Sequence, residues 1–376
     1  MNTNTESNPT ETCQSIKLGI DAHAKWFYVG RQLDGATPQP VQKMTFDGLL
    51  CFVAKQQRLA REVFTCYEAG AFGYHLHRKL TAMGVTNYVV QPQDWDERGK
   101  GVKNDRLDAL ALCQRLDRYT RGNRKAFSIV RVPSEDEERD RAFTRQRQQI
   151  VRERQRLQAM GRSLLASHGI HVTGKWWTGK TWKLIGEEAP AWVIERLKVL
   201  IRLIAPMEVE EKAMTEAIQE VGAETMSPRG VGPLTFEVLR REVGDWSRFT
   251  NRRQVSSYTG LCPREHSSGG KRRGGSVSKK GNPRVRAMLV EMVWRMMRWQ
   301  PDYHGLKKWM GVLGDPGRSP AARKNRPPGD SLTAGQERSV NVIVAIARQL
   351  AVDLWRLFTG QTTADKLGLI YLPDPA

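Results

Sequence analysis

Residues 16–33, IKLGIDAHAKWFYVGRQL, decide how the first part of the chain folds. Two β-rich runs, Lys17–Ile20 and Trp26–Leu33, are separated by a short turn, and a third run, Val41–Phe46, follows a gap that contains Pro and Gly. Beyond them the pattern alternates. A helical stretch from Gly48 to Ala60 precedes a β run at Val63–Tyr67, a helix from Phe72 to Met83 precedes a β run at Val85–Val90, and a helix follows from Asp105 to Arg118. The order βββαβαβα predicts a meander of antiparallel strands joined to parallel strands through helical crossovers, because a meander needs only turns whereas parallel neighbours need a long connection.

By that order the expected fold class is α/β plus α, opened at residues 16–130 by a domain that resembles the RNase H-like (RuvC-like) architecture, after a disordered tail at 1–15. From Ser134 the composition becomes charged, Gln-rich helix. Phe143, Ile150, Leu157 and Leu164 recur every seven residues, a narrow apolar seam among many arginines, and Leu200, Met207, Met214 and Val221 repeat the theme in a second run, Ala191–Val221, which Pro206 should kink or divide. Residues 134–222 therefore read as a helical, coiled-coil arm whose seam is either an assembly contact or the arm's own core. The link between the runs, Gly174–Gly186 (GKWWTGKTWKLIG), either stacks on bases or plugs the base of the arm. A mainly helical C-terminal domain at 226–360 opens with a Gly230-Val231-Gly232 turn of the helix-hairpin-helix kind. It includes a helix at Pro283–Trp299, a long loop at Leu313–Glu337 and a final helix at Val340–Phe358, before a tail at 361–376.

The 376 residues carry 60 Lys plus Arg against 40 Asp plus Glu, a formal charge of +20 that points to a polyanionic partner. Half of that excess lies between Arg248 and Arg286, where eleven basic residues face one acid, Glu265. No stretch approaches the run of about 20 apolar residues that a spanning helix needs, and residues 1–15 lack a signal peptide's apolar centre, so no membrane partner and a cytoplasmic location are expected. The five cysteines are scattered without a CxxC pair, which excludes a zinc knuckle or disulfide framework and leaves each as a small buried hydrophobe.

Four acids stand apart by their place in this scheme. Asp21 ends the first strand (LGID), Glu68 ends the fourth (CYEAG), and Asp105 and Asp108 (KNDRLDA) share one face at the start of a helix. Ligands of open α/β sheets bind beyond the carboxyl ends of the strands, so the four should converge there. Converging carboxylates repel unless cations neutralise them, and an all-oxygen ligand set selects Mg²⁺, or Mn²⁺. In the basic segment, Ser267-Ser268-Gly269-Gly270 offers a serine on a glycine-rich loop, flanked by Lys271, Arg272, Arg273, Lys279, Lys280, Arg284 and Arg286 as phosphate contacts. By pattern alone it is a phosphate-binding loop.

Taken together, LGID, YEAG, KNDRLDA and the string GLCPREHSSGGKRRGGSVSKKGNPRVR resemble the Asp-Glu-Asp-Asp motif and the C-terminal transposase domain of the insertion-sequence transposases of the IS one-ten family, bridge-RNA-guided DNA recombinases. The likeness runs from Ile16 to Phe358 in the family's order, although RGVG stands here where the family has Pro-Gly-Ile-Gly. The resemblance implies that Ser268, the serine directly before glycine, is the nucleophile that forms a phosphoserine link to DNA, with Mg²⁺ at Asp21, Glu68, Asp105 and Asp108. It further implies donor and target DNA as substrates and a structured non-coding bridge RNA as guide. The assembly it implies is a tetramer, a dimer of dimers, in which the acidic domain of one subunit meets the serine domain of another. The host would be bacterial or archaeal, with the protein at the nucleoid. Two rival readings use the same residues: a metal-dependent junction nuclease in which the carboxylates activate water, and a non-catalytic RNA- or DNA-binding protein.

Overall fold

The computed structural model describes residues 13–92, 104–223, 227–265, 274–309 and 334–372. The chain divides into two compact units, Met1–Val132 and Pro133–Ala376.

The first unit is built on a five-stranded mixed sheet of order β3-β2-β1-β4-β5. The elements are β1 (Cys13–Ala22), β2 (Phe27–Leu33), β3 (Gln42–Met44), α1 (Phe46–Gln57), β4 (Ala60–Glu68), α2 (His75–Ala82), β5 (Thr86–Val90) and α3 (Asp105–Thr120). β1 pairs antiparallel with β2, and β2 with β3, whereas β1–β4 and β4–β5 are parallel. Alternation along β1 sorts the faces. Ile16, Leu18 and Ile20 are fully buried in one cluster with Leu49 and Val53 of α1 and Leu76 and Leu80 of α2. Lys17, Gly19 and Asp21 take the other side, where the Lys17 ammonium meets Asp117 of α3 at 3.3 Å.

Glycine decides how closely α3 approaches. Gly19 pairs with Gly30 across β1–β2, and a Cβ on Gly19 would collide with the backbone of Ala109 and Cys113. A Cβ on Gly30 would sit 3.0 Å from the Ala109 carbonyl oxygen. Glycine inside a strand thus marks a close backbone approach, here that of a helix lying directly on the sheet. β1 begins earlier than the sequence pattern suggested. Residues 13–15, expected in a tail, are strand, because the Asp34 carboxylate accepts hydrogen bonds from the Gln14 and Ser15 amides and Cys13 pairs with Ala60.

In the second unit α4 (Glu135–Ala166) starts on a capping box formed by Ser134 and Glu137, then α5 (Gly179–Glu188) and α6 (Ala191–Ala223) follow. α4 and α6 pack on each other within one chain, and Leu157 and Leu164 of the heptad seam lie in their shared core. Phe143 and Ile150 are half-buried. α6 runs through Pro206 as one helix instead of dividing there. Its buried side chains include Val193, Leu197, Ile204, Met214 and Ile218, while Val221 is exposed, since a straight helix of 3.6 residues per turn drifts out of a seven-residue register. The Gly174–Gly186 link plugs the arm: Trp176 is fully buried and Trp177 nearly so, and the Trp176 indole N–H donates to the Gln158 carbonyl at 2.9 Å.

The rest of this unit comprises β6 (Ser227–Pro228), α7 (Pro233–Val243), a 3₁₀ turn at Trp246–Arg248, α8 (Arg252–Thr259), β7 (Pro263–Glu265), β8 (Gly274–Val277), α9 (Pro283–Trp299), α10 (His304–Lys307), α11 (Ala334–Phe358), α12 (Ala364–Leu367) and β9 (Tyr371–Leu372). α11 starts before the expected Val340, and the expected loop at Leu313–Glu337 otherwise lies outside the described residues. The expected tail at 361–376 is folded over 364–372. Leu367 and Leu369 are buried in the helical core, and β9 pairs with β6. Of the cysteines, Cys66 and Cys113 are buried, with burial pushing the Cys113 thiol up to about 12; Cys51 is exposed and Cys13 and Cys262 are intermediate, which corrects the expectation that all five are core. No helix among the described residues is long and apolar enough to cross a membrane.

Candidate functional site

Three of the four singled-out acids owe their place to the contact between α3 and the sheet. Asp21 has the same parity on β1 as Gly19, so it faces the α3 side. The Asn104 side chain accepts the Arg106 amide and caps α3, which sets Asp105 and Asp108 in the helix's first turn. On β4 the parallel register Gly19↔Cys66 and Ile20↔Tyr67, continued by one residue, sets Glu68 beside Asp21 at the carboxyl ends of the two central strands.

The side chains that come together are Asp21, Asp105 and His23. His23 Nε2 lies 2.9 Å from Asp21 Oδ2 and 3.7 Å from Asp105 Oδ1. One donor atom from each of the three falls within 4.8 Å of the others, a spacing at which one metal ion could be held; Glu68 and Asp108 are not among these three donors. Burial pushes the Asp21 carboxyl above its usual 3.8; the hydrogen bond and charge of His23 oppose the rise, and the charges of Asp108 and Asp105 add to it. The donor set fits a divalent ion, with the imidazole making Mn²⁺ as suitable as Mg²⁺. Sequence reasoning missed His23, which reads as a turn residue. The signal was the Asp-x-His spacing where the strand ends.

The second candidate region is split by what the structure describes. Ser268 with Lys271, Arg272 and Arg273 lies outside the described residues. The strands flanking that segment in sequence, β7 and β8, pair antiparallel through Pro263↔Val277 and Glu265↔Gly274. Lys279 and Lys280 are exposed, with no ion-pair partner among the described residues. Arg284 and Arg286 are engaged within the protein. Arg284 Nε donates to Gln148 Oε1 at 2.7 Å, and Arg286 Nη1 donates to the carbonyls of Thr259 and Lys279 at 3.2 Å each.

A buried carboxylate anchors the start of α9, the helix after β8. Glu242 of α7 is fully buried and accepts two hydrogen bonds from the Arg145 guanidinium, at 2.8 and 2.9 Å, and one from Asn282 Nδ2 at 2.9 Å. Burial pushes this carboxyl up, but the Arg145 and Asn282 hydrogen bonds and the charges of Arg145 and Arg284 outweigh it and hold the group below its ordinary value. The Asn282 oxygen caps α9 through the Arg284 and Val285 amides. One acid on α7 thereby ties α4 to the start of α9. Nothing in the spacing of Glu242 announced this, because a Glu in a helix of mixed charge reads as solvated.

Comparison with known proteins places the chain among transposases in sequence. Residues 223–307, from the end of α6 through α10, match the model of a family described as Transposase IS116/IS110/IS902 family. The chain is 29% identical over 371 residues to "Putative transposase y4rJ" of Sinorhizobium fredii, covering 89% of each chain. It is 26% identical over 309 residues to the transposase for insertion sequence element IS1111A of Coxiella burnetii, covering 79% of this chain and 78% of the relative. The chain is therefore similar to insertion-sequence transposases, in its C-terminal part through the IS116/IS110/IS902 family model and over most of its length through relatives named as transposases.

Proposed function

We propose that this chain is a transposase that cuts and rejoins DNA through a covalent link to Ser268, with a divalent cation held on the first unit. The observation that carries the proposal is the convergence of Asp21, His23 and Asp105 on the α3 side of the sheet, with Glu68 at the neighbouring strand end and Asp108 one helical turn along. Bound there, Mg²⁺ or Mn²⁺ would supply charge stabilisation to the oxygens of a reacting phosphodiester. The strand order, antiparallel at one edge and parallel at the centre, supports an RNase H-like, RuvC-like reading of this unit.

The chain's own groups then divide the work. Asp21, His23 and Asp105 would hold the cation, and the His23 hydrogen bond to Asp21 keeps that carboxylate oriented. Ser268 Oγ attacks phosphorus, so that an Oγ–P bond forms as a P–O bond to deoxyribose breaks and a hydroxyl end is released. Reversal onto another strand's hydroxyl rejoins DNA without net loss of a phosphoester, hence without a high-energy cofactor. The exposed Lys279 and Lys280 suit contact with phosphates irrespective of sequence. Choice of donor and target DNA by pairing with a structured bridge RNA, as the resemblance implies, would leave the protein to hold backbones. Assembly into a tetramer draws support from Trp192, Val199 and Leu203, which leave an apolar stripe exposed along α6.

The experiment is to trap the intermediate. The full chain is incubated with DNA carrying the ends of its own element, the transcribed flanking RNA and Mg²⁺. The denaturant-resistant protein–DNA adduct is then mapped by peptide mass spectrometry. Attachment at Ser268, lost in Ser268→Ala and in Asp105→Asn, is the expected result. Attachment elsewhere overturns the assignment, and cleavage with no adduct favours the junction nuclease.

A further inference from the structure

Beside Asp21 the sheet carries a second kind of chemistry. Tyr28 of β2 pairs with Asp21 of β1, and Lys43 of β3 pairs with Tyr28, so these three residues form one row across three strands. Directly paired residues in antiparallel neighbours project to the same face, which here is the face of Gly19, Gly30 and α3. The His23 ring meets the Tyr28 ring edge-on, with centroids 5.8 Å apart. At the edge of the sheet the Lys43 ammonium lies 4.7 Å from the centre of the Trp26 ring and 5.6 Å from that of Tyr28. Contacts therefore run unbroken from the candidate cation site through His23 and Tyr28 to Lys43 and Trp26.

Nothing in the packing of the unit calls for this outer pair. Trp26 is 43% exposed and belongs to no core cluster among the described residues. Lys43 is exposed and has no acidic partner among them. A lysine alone guards an edge strand against pairing with another chain. An exposed indole does the opposite, since it adds apolar surface at that edge. The combination of a flat aromatic face, a cation and a direct line to clustered carboxylates is what a nucleic-acid strand requires: stacking for a base and an ammonium for a phosphate.

We infer that Trp26, Tyr28 and Lys43 form a subsite for the DNA strand entering at Asp21, with Trp26 stacking on an unpaired base and Lys43 holding the adjoining phosphate. The inference rests on the proposed reading in one respect, that the phosphate being cut lies at Asp21 and Asp105. Strands spaced about 4.8 Å apart put the Lys43 backbone about 10 Å from that of Asp21, some two or three nucleotides at a rise of about 3.4 Å each. Lys43 lies over the indole, and Trp26 is 43% exposed, so the ring still presents surface on which a base can stack. Stacking of this kind tolerates any sequence because every base has a π-face, so the subsite grips a strand without selecting it.

The test uses the full chain in EDTA, where binding is read without cleavage, and a short oligodeoxythymidine carrying one 5-iododeoxyuridine. Photocrosslinks are mapped by mass spectrometry, and the yield at the peptide containing Trp26 and Tyr28 is titrated against oligonucleotide and salt. The expected result is a crosslink at this peptide whose half-saturation rises about 5- to 150-fold in Trp26→Ala and returns towards wild type in Trp26→Phe. In Lys43→Met the slope of log affinity against log salt, read at the same peptide, should flatten by about 0.7, and Lys43→Arg should restore it. No crosslink at this peptide, or one with unchanged half-saturation in Trp26→Ala and unchanged salt slope in Lys43→Met, overturns the inference. Adduct trapping on the same wild-type preparation separates the two levels: the crosslink at this peptide can stand even if no Ser268 adduct is trapped, and a Ser268 adduct without the crosslink removes the subsite alone.

Discussion

Replacing Gly19 by Ala tests whether the contact between α3 and the sheet sets the spacing of the candidate site. The new methyl would collide with the backbone N of Cys113 and the carbonyl of Ala109, and would stand 2.7 Å from the Cys113 Cα. Carbon atoms rest at about 3.5–4.0 Å, so α3 must withdraw by roughly 1 Å. Backbone cannot rotate aside as a side chain can, which puts the cost at the upper end of overpacking, about 3 kcal/mol. For a domain of about 100 residues each kcal/mol moves the melting temperature by about 4–8 °C, so a fall of roughly 12–24 °C in the first unit's transition is expected by scanning calorimetry. Gly30→Ala grades the effect. Its methyl would lie 3.0 Å from the Ala109 oxygen and 3.4 Å from the Cys113 Cβ, a conflict that a shift of a few tenths of an ångström relieves. Gly186→Ala, with nothing within 4 Å, should not destabilise at all. Because Asp21 lies two residues beyond Gly19 and Asp105 begins α3, withdrawal also parts the carboxylates, and Mn²⁺ affinity should fall together with stability. A Gly19→Ala protein that melts with Gly30→Ala, or that loses stability while binding Mn²⁺ as wild type does, refutes the reasoning.

Other outcomes follow from the same geometry. Asp105→Asn and His23→Ala should each weaken Mn²⁺ binding, followed by electron paramagnetic resonance, more than Asp108→Asn does, since Asp108 is outside the converging trio; equal losses at 105 and 108 would contradict the trio. The raised carboxyl of Asp21 means that the metal-free folded chain keeps this proton to higher pH than the unfolded chain, so the group's contribution to stability falls as pH rises from 3.8 through the raised value. Asp21→Asn should accordingly melt higher than wild type at pH 7 in EDTA and lose the stabilisation that Mn²⁺ gives; an Asn variant that melts lower in EDTA would show that burial and the neighbouring acids do not penalise the ionised Asp21. Glu242→Ala leaves the Arg145 guanidinium without its bidentate partner and should cost about 3–5 kcal/mol by denaturant titration, whereas Glu242→Leu combined with Arg145→Met should cost less than the single change. Gly161→Ala, whose methyl would collide with the buried Trp176 ring, should lower the arm's melting temperature without affecting the first unit; a joint fall would mean that the two unfold together.

What could be read from the sequence depends on how local each feature is. Strand alternation in LGID and the first-turn spacing of KNDRLDA need no partner to be understood, and they located Asp21, Asp105 and Asp108 correctly at the carboxyl end of β1 and the start of α3. His23 was missed because its role depends on Asp105, more than eighty positions away in sequence. Gly19 and Gly30 carried a readable sign, glycine within a strand, but which backbone approaches them is a tertiary fact. The Trp176–Trp177 pair stayed open between base stacking and plugging, since exposure alone distinguishes the two. The polar, short pattern after Phe358 concealed Leu367 and Leu369, which are buried by helices distant in sequence.

The turn between α8 and α9 alters how a charge scan of this protein must be interpreted. Gly260 adopts a left-handed φ of 66°, with the Arg286 guanidinium where a Cβ would be, and Gly281 lies against the backbone of Ser257, Tyr258 and Gly260. Arg286 thus acts as a staple across the base of the β7–β8 ribbon, donating to one carbonyl on each side of it. Removing that guanidinium strands the carbonyls of Thr259 and Lys279 and loosens the ribbon that brackets Ser268. A loss of DNA binding on alanine substitution at 286 would then record a misplaced ribbon and not a missing phosphate contact. Neutralisation at Lys279 or Lys280, which are exposed and have no ion-pair partner among the described residues, is the fair measure of how much positive charge alone contributes there.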